Sequence, residues 1–188
     1  MMILLLACST APKKDALDSS FDSLEKPSYI LESTLENGDI LQTIDIDQDG
    51  QTDVWNTFYL QGDGTSRLLV KKELDINHDG ISDIISTYDD KGRVVEEAFD
   101  MNFDQIRERI EYYHYSGEKV STTTKTDING DGVFDIKQEI RDGVLYRVEM
   151  DTTGDQMPDL WQALDKNGKV EKYVMDTDGD GIMDVRVE

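Results

Sequence analysis

The sequence predicts an all-β fold, an antiparallel meander of repeated β-hairpins joined by nine-residue acidic loops. Three observations carry that expectation. One acidic nonapeptide recurs six times, its copies starting 30, 25, 27, 24 and 25 residues apart. The intervals between copies are rich in β-branched and aromatic residues and are broken by Gly-containing turns. None of them sustains the three-to-four-residue apolar spacing of a helix. A period near 25 residues means that each copy carries the same supersecondary unit.

The first nonapeptide places Asp45, Asp47, Asp49, Gly50 and Asp53 at positions 1, 3, 5, 6 and 9. The second repeats this as Asp75, Asn77, Asp79, Gly80 and Asp83, the fourth as Asp127, Asn129, Asp131, Gly132 and Asp135, and the sixth as Asp176, Asp178, Asp180, Gly181 and Asp184. Two copies depart from the pattern. The third, from Asp100, has Asn102, Asp104, Gln105 and Glu108; the fifth, from Asp151, has Thr153, Asp155, Gln156 and Asp159.

Between the first two loops, Val54 to Leu60 reads as a strand, Gly62-Asp63-Gly64 as a turn and Arg67 to Leu74 as the returning strand. Later intervals keep this plan, with turns at Asp90-Lys91-Gly92, Ser116-Gly117, Asp142-Gly143 and Asn167-Gly168. A leading hairpin from Tyr29 to Ile44 turns at Asn37-Gly38. Residues four apart in a strand share a face, so Val54 with Phe58, Ile84 with Tyr88, Ile136 with Ile140 and Leu160 with Leu164 predict an apolar stripe. Leu74, Phe99, Met150 and Met175, with Val70, Val95 and Tyr146 four residues earlier, are expected to join it. Turns then lie along one end of the sheet and acidic loops along the other, successive loops on the order of 10 Å apart. Whether the sheet curls, closes into a barrel, folds into a sandwich or stays an open solenoid-like array is left open by the sequence.

Oxygen donors at positions 1, 3, 5 and 9 of a tight loop match a hard dication. Ca2+ takes six to eight oxygens, and the backbone carbonyl of position 7 adds one, here from Gln51, Ile81, Val133 and Ile182. Glycine at position 6 permits the sharp turn. Plain Asx turns would need only one or two such residues, whereas four stand at fixed offsets in each full copy. The expected ligands are therefore Asp45, Asp47, Asp49 and Asp53; Asp75, Asn77, Asp79 and Asp83; Asp127, Asn129, Asp131 and Asp135; and Asp176, Asp178, Asp180 and Asp184. Weaker binding or none is expected at Asp100, Asn102, Asp104 and Glu108 and at Asp151, Asp155 and Asp159, because a side chain at a left-handed position costs on the order of 1 kcal/mol. The loops resemble those of EF-hands, thrombospondin type 3 repeats and FG-GAP propeller blades. An EF-hand proper would close with Glu at its twelfth residue, and those positions hold Asn56, Ser86, Gln138, Gln162 and Val187, with only Glu111 acidic.

Cys8 is the single cysteine, which excludes internal disulfides and thiolate clusters. The tetrad Leu5-Leu6-Ala7-Cys8 resembles the bacterial lipobox, and that resemblance implies cleavage before Cys8 and its acylation. Residues 1–7 are thus expected to be the end of a signal peptide whose basic front lies upstream, and residues 8–27 a flexible tether spanning on the order of 25 Å. Ser9 is similar to the outer-membrane sorting choice of such lipoproteins. Residues 28–188 form the repeat domain.

Charge narrows the function. With 41 acidic against 19 basic side chains and a formal charge of −22, the chain is expected to repel nucleic acid. No apolar run reaches the ~18–20 residues of a membrane-spanning helix, so the expected membrane contact is the lipid anchor alone. Four bound Ca2+ would bring the formal charge from −22 to −14. Cation binding is accordingly expected to contribute folding energy rather than to signal. His78 and His114 read as surface histidines, and Trp55 and Trp161 as covers for the second face of the sheet or platforms for a protein or glycan partner. The sequence predicts a non-enzymatic, calcium-stabilised surface lipoprotein with a structural or adhesive role. The alternative is a carbohydrate-active or other hydrolytic enzyme braced by the loops, which would carry a carboxylate pair outside them.

Overall fold

The computed structural model describes residues 29–62 and 64–187. Cys8, the leader and the tether lie outside the described residues. The fold is the expected meander: thirteen strands in one antiparallel sheet, each hydrogen-bonded only to its neighbours in sequence. They are β1 (Ile30–Thr34), β2 (Ile40–Ile44), β3 (Val54–Leu60), β4 (Arg67–Leu74), β5 (Ile84–Tyr88), β6 (Val94–Phe99) and β7 (Arg109–Ser116). The sheet continues through β8 (Lys119–Thr126), β9 (Ile136–Arg141), β10 (Val144–Met150), β11 (Leu160–Leu164), β12 (Val170–Met175) and β13 (Val185–Val187). Among the described residues no strand packs on a non-neighbour, so the sheet is a single open layer, neither closed into a barrel nor folded into a sandwich.

Register is set by the residues that flank the loops. Ile30, Ile44, Val54, Leu74, Ile84, Phe99, Arg109, Thr126, Ile136, Met150, Leu160, Met175 and Val185 stand opposite one another in an unbroken row across all thirteen strands. Directly opposed residues share a face, so this row lies immediately beneath the acidic loops, apolar everywhere except Arg109 and Thr126. On the opposite face Trp55 lies between Thr43 and Glu73, and Trp161 between Glu149 and Val174. Both indoles are half-buried.

The stripe expected from residues four apart is interrupted. Four hairpins carry a β-bulge at the same repeat position: Val70, Val95, Tyr146 and Glu171 are each the extra residue opposite a continuous partner strand. An extra residue breaks strict alternation and bends the strand. Tyr146 is consequently 41% exposed rather than part of an apolar stripe, and its ring is covered by the Arg141 guanidinium at 3.6 Å.

The second row down the loop-row face is mostly polar, with Val148 and Tyr173 as apolar members towards the C-terminal strands. The amide of Gln42 donates to Glu32 (3.1 Å) and that of Asn56 to Gln42 (3.1 Å). Farther along, Glu97 stands directly opposite Glu111, and the Tyr113 hydroxyl lies 3.0 Å from Glu97 and 2.6 Å from Glu111. Like charges face to face are destabilising, and the shared phenol together with the Ser86 hydroxyl on Glu97 and Arg109 on Glu111 offsets that repulsion. Burial, followed by the two carboxylates, pushes the Tyr113 phenol well above its ordinary value.

The turn between β5 and β6 is built on Asp89, whose carboxylate accepts the backbone N–H groups of Lys91 and Arg93 and the Arg93 guanidinium at 2.8 and 2.6 Å. The Arg93 side chain, then its backbone N–H, holds Asp89 at about 2, against an ordinary 3.8. A depressed carboxylate stabilises the fold above its unfolded value and loses that contribution as pH falls. The contribution of Asp89 is therefore complete above 3.8 and fades towards about 2. Carbon-detected NMR should find Asp89 titrating near 2 in the wild type and moving towards 3.8 in Arg93→Ala.

Candidate metal centre

The six nonapeptides occupy the connections at one end of the sheet, between β2 and β3, β4 and β5, β6 and β7, β8 and β9, β10 and β11, and β12 and β13. Each folds by the same rule. The position-9 carboxylate reaches back to the backbone N–H of position 2: Asp53 to Ile46 (2.5 Å), Asp83 to Ile76 (2.7 Å), Glu108 to Met101 (2.6 Å), Asp135 to Ile128 (2.7 Å), Asp159 to Thr152 (2.6 Å) and Asp184 to Thr177 (2.9 Å). Position 5 accepts from the N–H of position 7 in every loop, as Asp49 does from Gln51 at 2.7 Å. Position 1 accepts the N–H of position 6 through Oδ2 in every loop. In five loops its Oδ1 accepts the N–H of position 4.

Those contacts require left-handed backbone at positions 4 and 6 alike. Position 6 has φ of 94° at Gly50 and 87° at Gly80, and Gln105 and Gln156 adopt 76° and 71° without glycine. Position 4 shares this conformation at Gln48, His78 and Phe103 as well as at Gly130, Gly154 and Gly179. Successive loops are stitched together: the N–H of each position 1 donates to the carbonyl of the preceding position 9, from Asp75 to Asp53, Asp100 to Asp83, Asp127 to Glu108, Asp151 to Asp135 and Asp176 to Asp159, at 2.7–2.9 Å.

Burial at this end inverts the usual pattern. Among the described residues, four apolar side chains are buried, Val54, Ala98, Val148 and Leu164, against nine carboxylates. All nine stand at position 1 or 9: Asp53, Asp75, Asp83, Asp100, Glu108, Asp127, Asp151, Asp159 and Asp176. Positions 3 and 5 project towards solvent.

Four sets of side chains could hold a metal ion, each with one ligand atom per residue within 4.8 Å of the others. Three lie inside loops: Asp45, Asp47 and Asp49 in the first, Asp100, Asp104 and Glu108 in the third, and Asp176, Asp178 and Asp184 in the sixth. In the second, fourth and fifth loops the ligands expected from sequence take the shared loop geometry, but their carboxylates do not form such a set among the described residues. The second and fourth have Asn77 and Asn129 at position 3, and the fifth has Thr153.

The fourth set crosses between loops. His78 Nδ1 lies 2.9 Å from Asp53 and 3.6 Å from Asp47. Sequence spacing gives no signal for this contact, because 25 residues separate His78 from Asp53 and only the stitching of adjacent loops brings them together. Desolvation alone would lower the His78 imidazole, but the Asp53 hydrogen bond and the charges of Asp53, Asp47 and Asp75 raise it overall. Asp53 is held below its ordinary value, first by the Ile46 N–H.

In the sixth loop the carboxylates act on one another. The Asp180 backbone N–H pulls Asp178 down, yet the negative charges of Asp180, Asp184 and Asp176 outweigh it and leave Asp178 raised. Asp184, in contrast, is lowered, first by the Thr177 hydroxyl.

A carboxylate pair outside the loops does exist in Glu97 and Glu111, but its oxygens are engaged by Ser86, Tyr113 and Arg109. His114 sits on β7 opposite Ser121. Comparison with family models, with curated proteins and with solved structures returns no match.

Position 9 should matter more to metal-free stability than position 5. Asp83 is 2% exposed and accepts the N–H groups of Ile76 and Asn77, so Asp83→Ala removes two charge-assisted hydrogen bonds from a buried carboxylate at a cost of about 2–3 kcal/mol. Exposed Asp79 anchors one turn, and Asp79→Ala should cost under about 1 kcal/mol in chemical denaturation with chelator present.

Proposed function

We propose that this chain is a calcium-stabilised, non-enzymatic surface lipoprotein whose acidic loops bind Ca2+ as part of the folded structure. The observation that carries the reading is Asp45. Its Oδ1 is buried and has no hydrogen-bond partner, although its counterparts in the other five loops each accept the N–H of position 4. A desolvated carboxylate oxygen without a donor is unfavourable, and beside Asp47 and Asp49 it is most simply satisfied by a cation. All-oxygen donor sets favour a hard ion, and a loop offering several carboxylates plus a backbone carbonyl suits the higher coordination number of Ca2+ better than the smaller octahedral Mg2+.

In this reading the four full loops supply the principal sites, with the ligands named above and the carbonyls of Gln51, Ile81, Val133 and Ile182. The role is structural, since the described residues hold no pair of helices whose opening could report occupancy. An acylated Cys8 would tether the domain to a bacterial outer membrane, where millimolar calcium suffices for modest sites. The acidic surface then serves structural or adhesive contact with a protein or glycan partner.

Calorimetry of the full chain should show calcium binding well in excess of Mg2+ binding. At calcium tenfold above Kd each site contributes about 1.4 kcal/mol, so four sites should raise the melting temperature by roughly 10 °C or more relative to chelator. No calcium heat, with the same melting temperature in chelator, would overturn the reading. Labelled palmitate should enter the protein expressed behind a complete signal sequence, and Cys8→Ala should abolish it.

A further inference from the structure

The third loop departs from the full pattern twice: Gln105 replaces the position-6 glycine, and Glu108 replaces the closing aspartate. Both changes suggest a spent site, but the folded loop argues otherwise. Gln105 takes the left-handed conformation, and its N–H still donates to Asp100 at 2.8 Å. Phe103 donates to Asp100, Asp104 to Asn102 and Ile106 to Asp104 at 2.7, 3.0 and 2.9 Å, as in the full loops. The penalty of the missing glycine is absorbed in folding and does not disturb the donor geometry.

Two further facts point to a ligand. Asp100, Asp104 and Glu108 already bring carboxylate oxygens within 4.8 Å of one another, and Asp100 and Glu108 are 4% and 8% exposed. Within that set, Glu108 Oε2 is committed to the Met101 N–H, while Oε1 is buried and has no partner at all. The extra methylene of Glu lets one oxygen close the loop while the other remains free. Arg107 does not satisfy it: the guanidinium is spent on Asp100 at 3.3 Å and on the Ser82 carbonyl of the preceding loop at 2.6 Å. By neutralising part of the Asp100 charge, Arg107 lets three carboxylates gather before an ion arrives.

We propose that the third loop is a full site for a hard dication of calcium's size, with Glu108 Oε1 as a ligand beside Asp100 and Asp104. The proposal extends the calcium reading but rests on a different atom, in a loop that the sequence ranks among the weakest.

Glu108→Gln tests it, because the amide keeps an acceptor for Met101 and the size of the side chain while removing the charge. In the full chain, native mass spectrometry with calcium should count one ion fewer in E108Q than in the wild type. Amide resonances of Phe103 and Gln105 should move with calcium in the wild type and stay still in E108Q. In chelator, E108Q should melt no lower than the wild type, yet gain less from calcium, a crossing that a merely structural glutamate would not give. Equal ion counts in the two proteins, with the wild type binding calcium, overturn this proposal alone. A wild type that binds no calcium overturns both readings.

Discussion

The structure depends on carboxylates that are buried and must be satisfied. Most domains withdraw apolar side chains from water and leave Asp and Glu outside. Here the ratio is reversed at one end of the sheet, where positions 1 and 9 of the loops form the interior. Backbone N–H groups do the first part of the work: each loop wraps its position-1 carboxylate and is pinned by its position-9 carboxylate. Charge-assisted hydrogen bonds of this kind are stronger than neutral ones, but they leave net negative charge in place. A bound dication, as proposed above, would remove that remainder and would couple cation binding to folding.

The consequence is a nearly one-dimensional protein. Among the described residues every strand touches only its neighbours, and no second layer defines the ends or holds the sheet flat. Stability in such arrays is close to a sum of unit and nearest-neighbour terms. The neighbour term is visible at both levels of the loop end, in the apolar row beneath the loops and in the hydrogen bonds from each position 1 to the preceding position 9. At the other end the turns differ from hairpin to hairpin, and the recurrent bulge at Val70, Val95, Tyr146 and Glu171 takes up the residue that would spoil the register.

Strand positions and loop positions were legible because each has a strong local cause: period-two alternation, Gly-containing turns, and Asp or Asn at fixed offsets. The bulges were not, since Val70 and Val95 are as good strand residues as their neighbours and the extra residue appears only when two strands are paired. Left-handed backbone at Gln48, His78 and Phe103 was equally hidden, because position 4 shows no consistent residue type until the loops are folded. The contact of His78 with Asp53 depends on adjacent loops lying side by side, which no spacing rule within one loop contains. Openness of the sheet is a property of how strand twist accumulates over thirteen strands, and no single residue encodes it.

The distribution of charge among the loops fits the same physics. The first and sixth loops carry four carboxylates at the ligand positions, whereas the four between them replace one with Asn77, Asn102, Asn129 or Thr153. Adjacent loops are separated by two strands, on the order of 10 Å, which is about one Debye length at moderate ionic strength, so neighbouring loops repel one another appreciably. An inner loop has an acidic neighbour on each side and an outer loop has one. A neutral oxygen at position 3 lowers repulsion where it is greatest and would still offer a donor to a bound cation. The first loop, with its full complement, instead has His78 leaning in from the second loop against Asp53 and Asp47. The third adds Arg107 against Asp100. Residue choice along the array therefore follows the sum of local fields, and the loops cannot be understood as six independent copies.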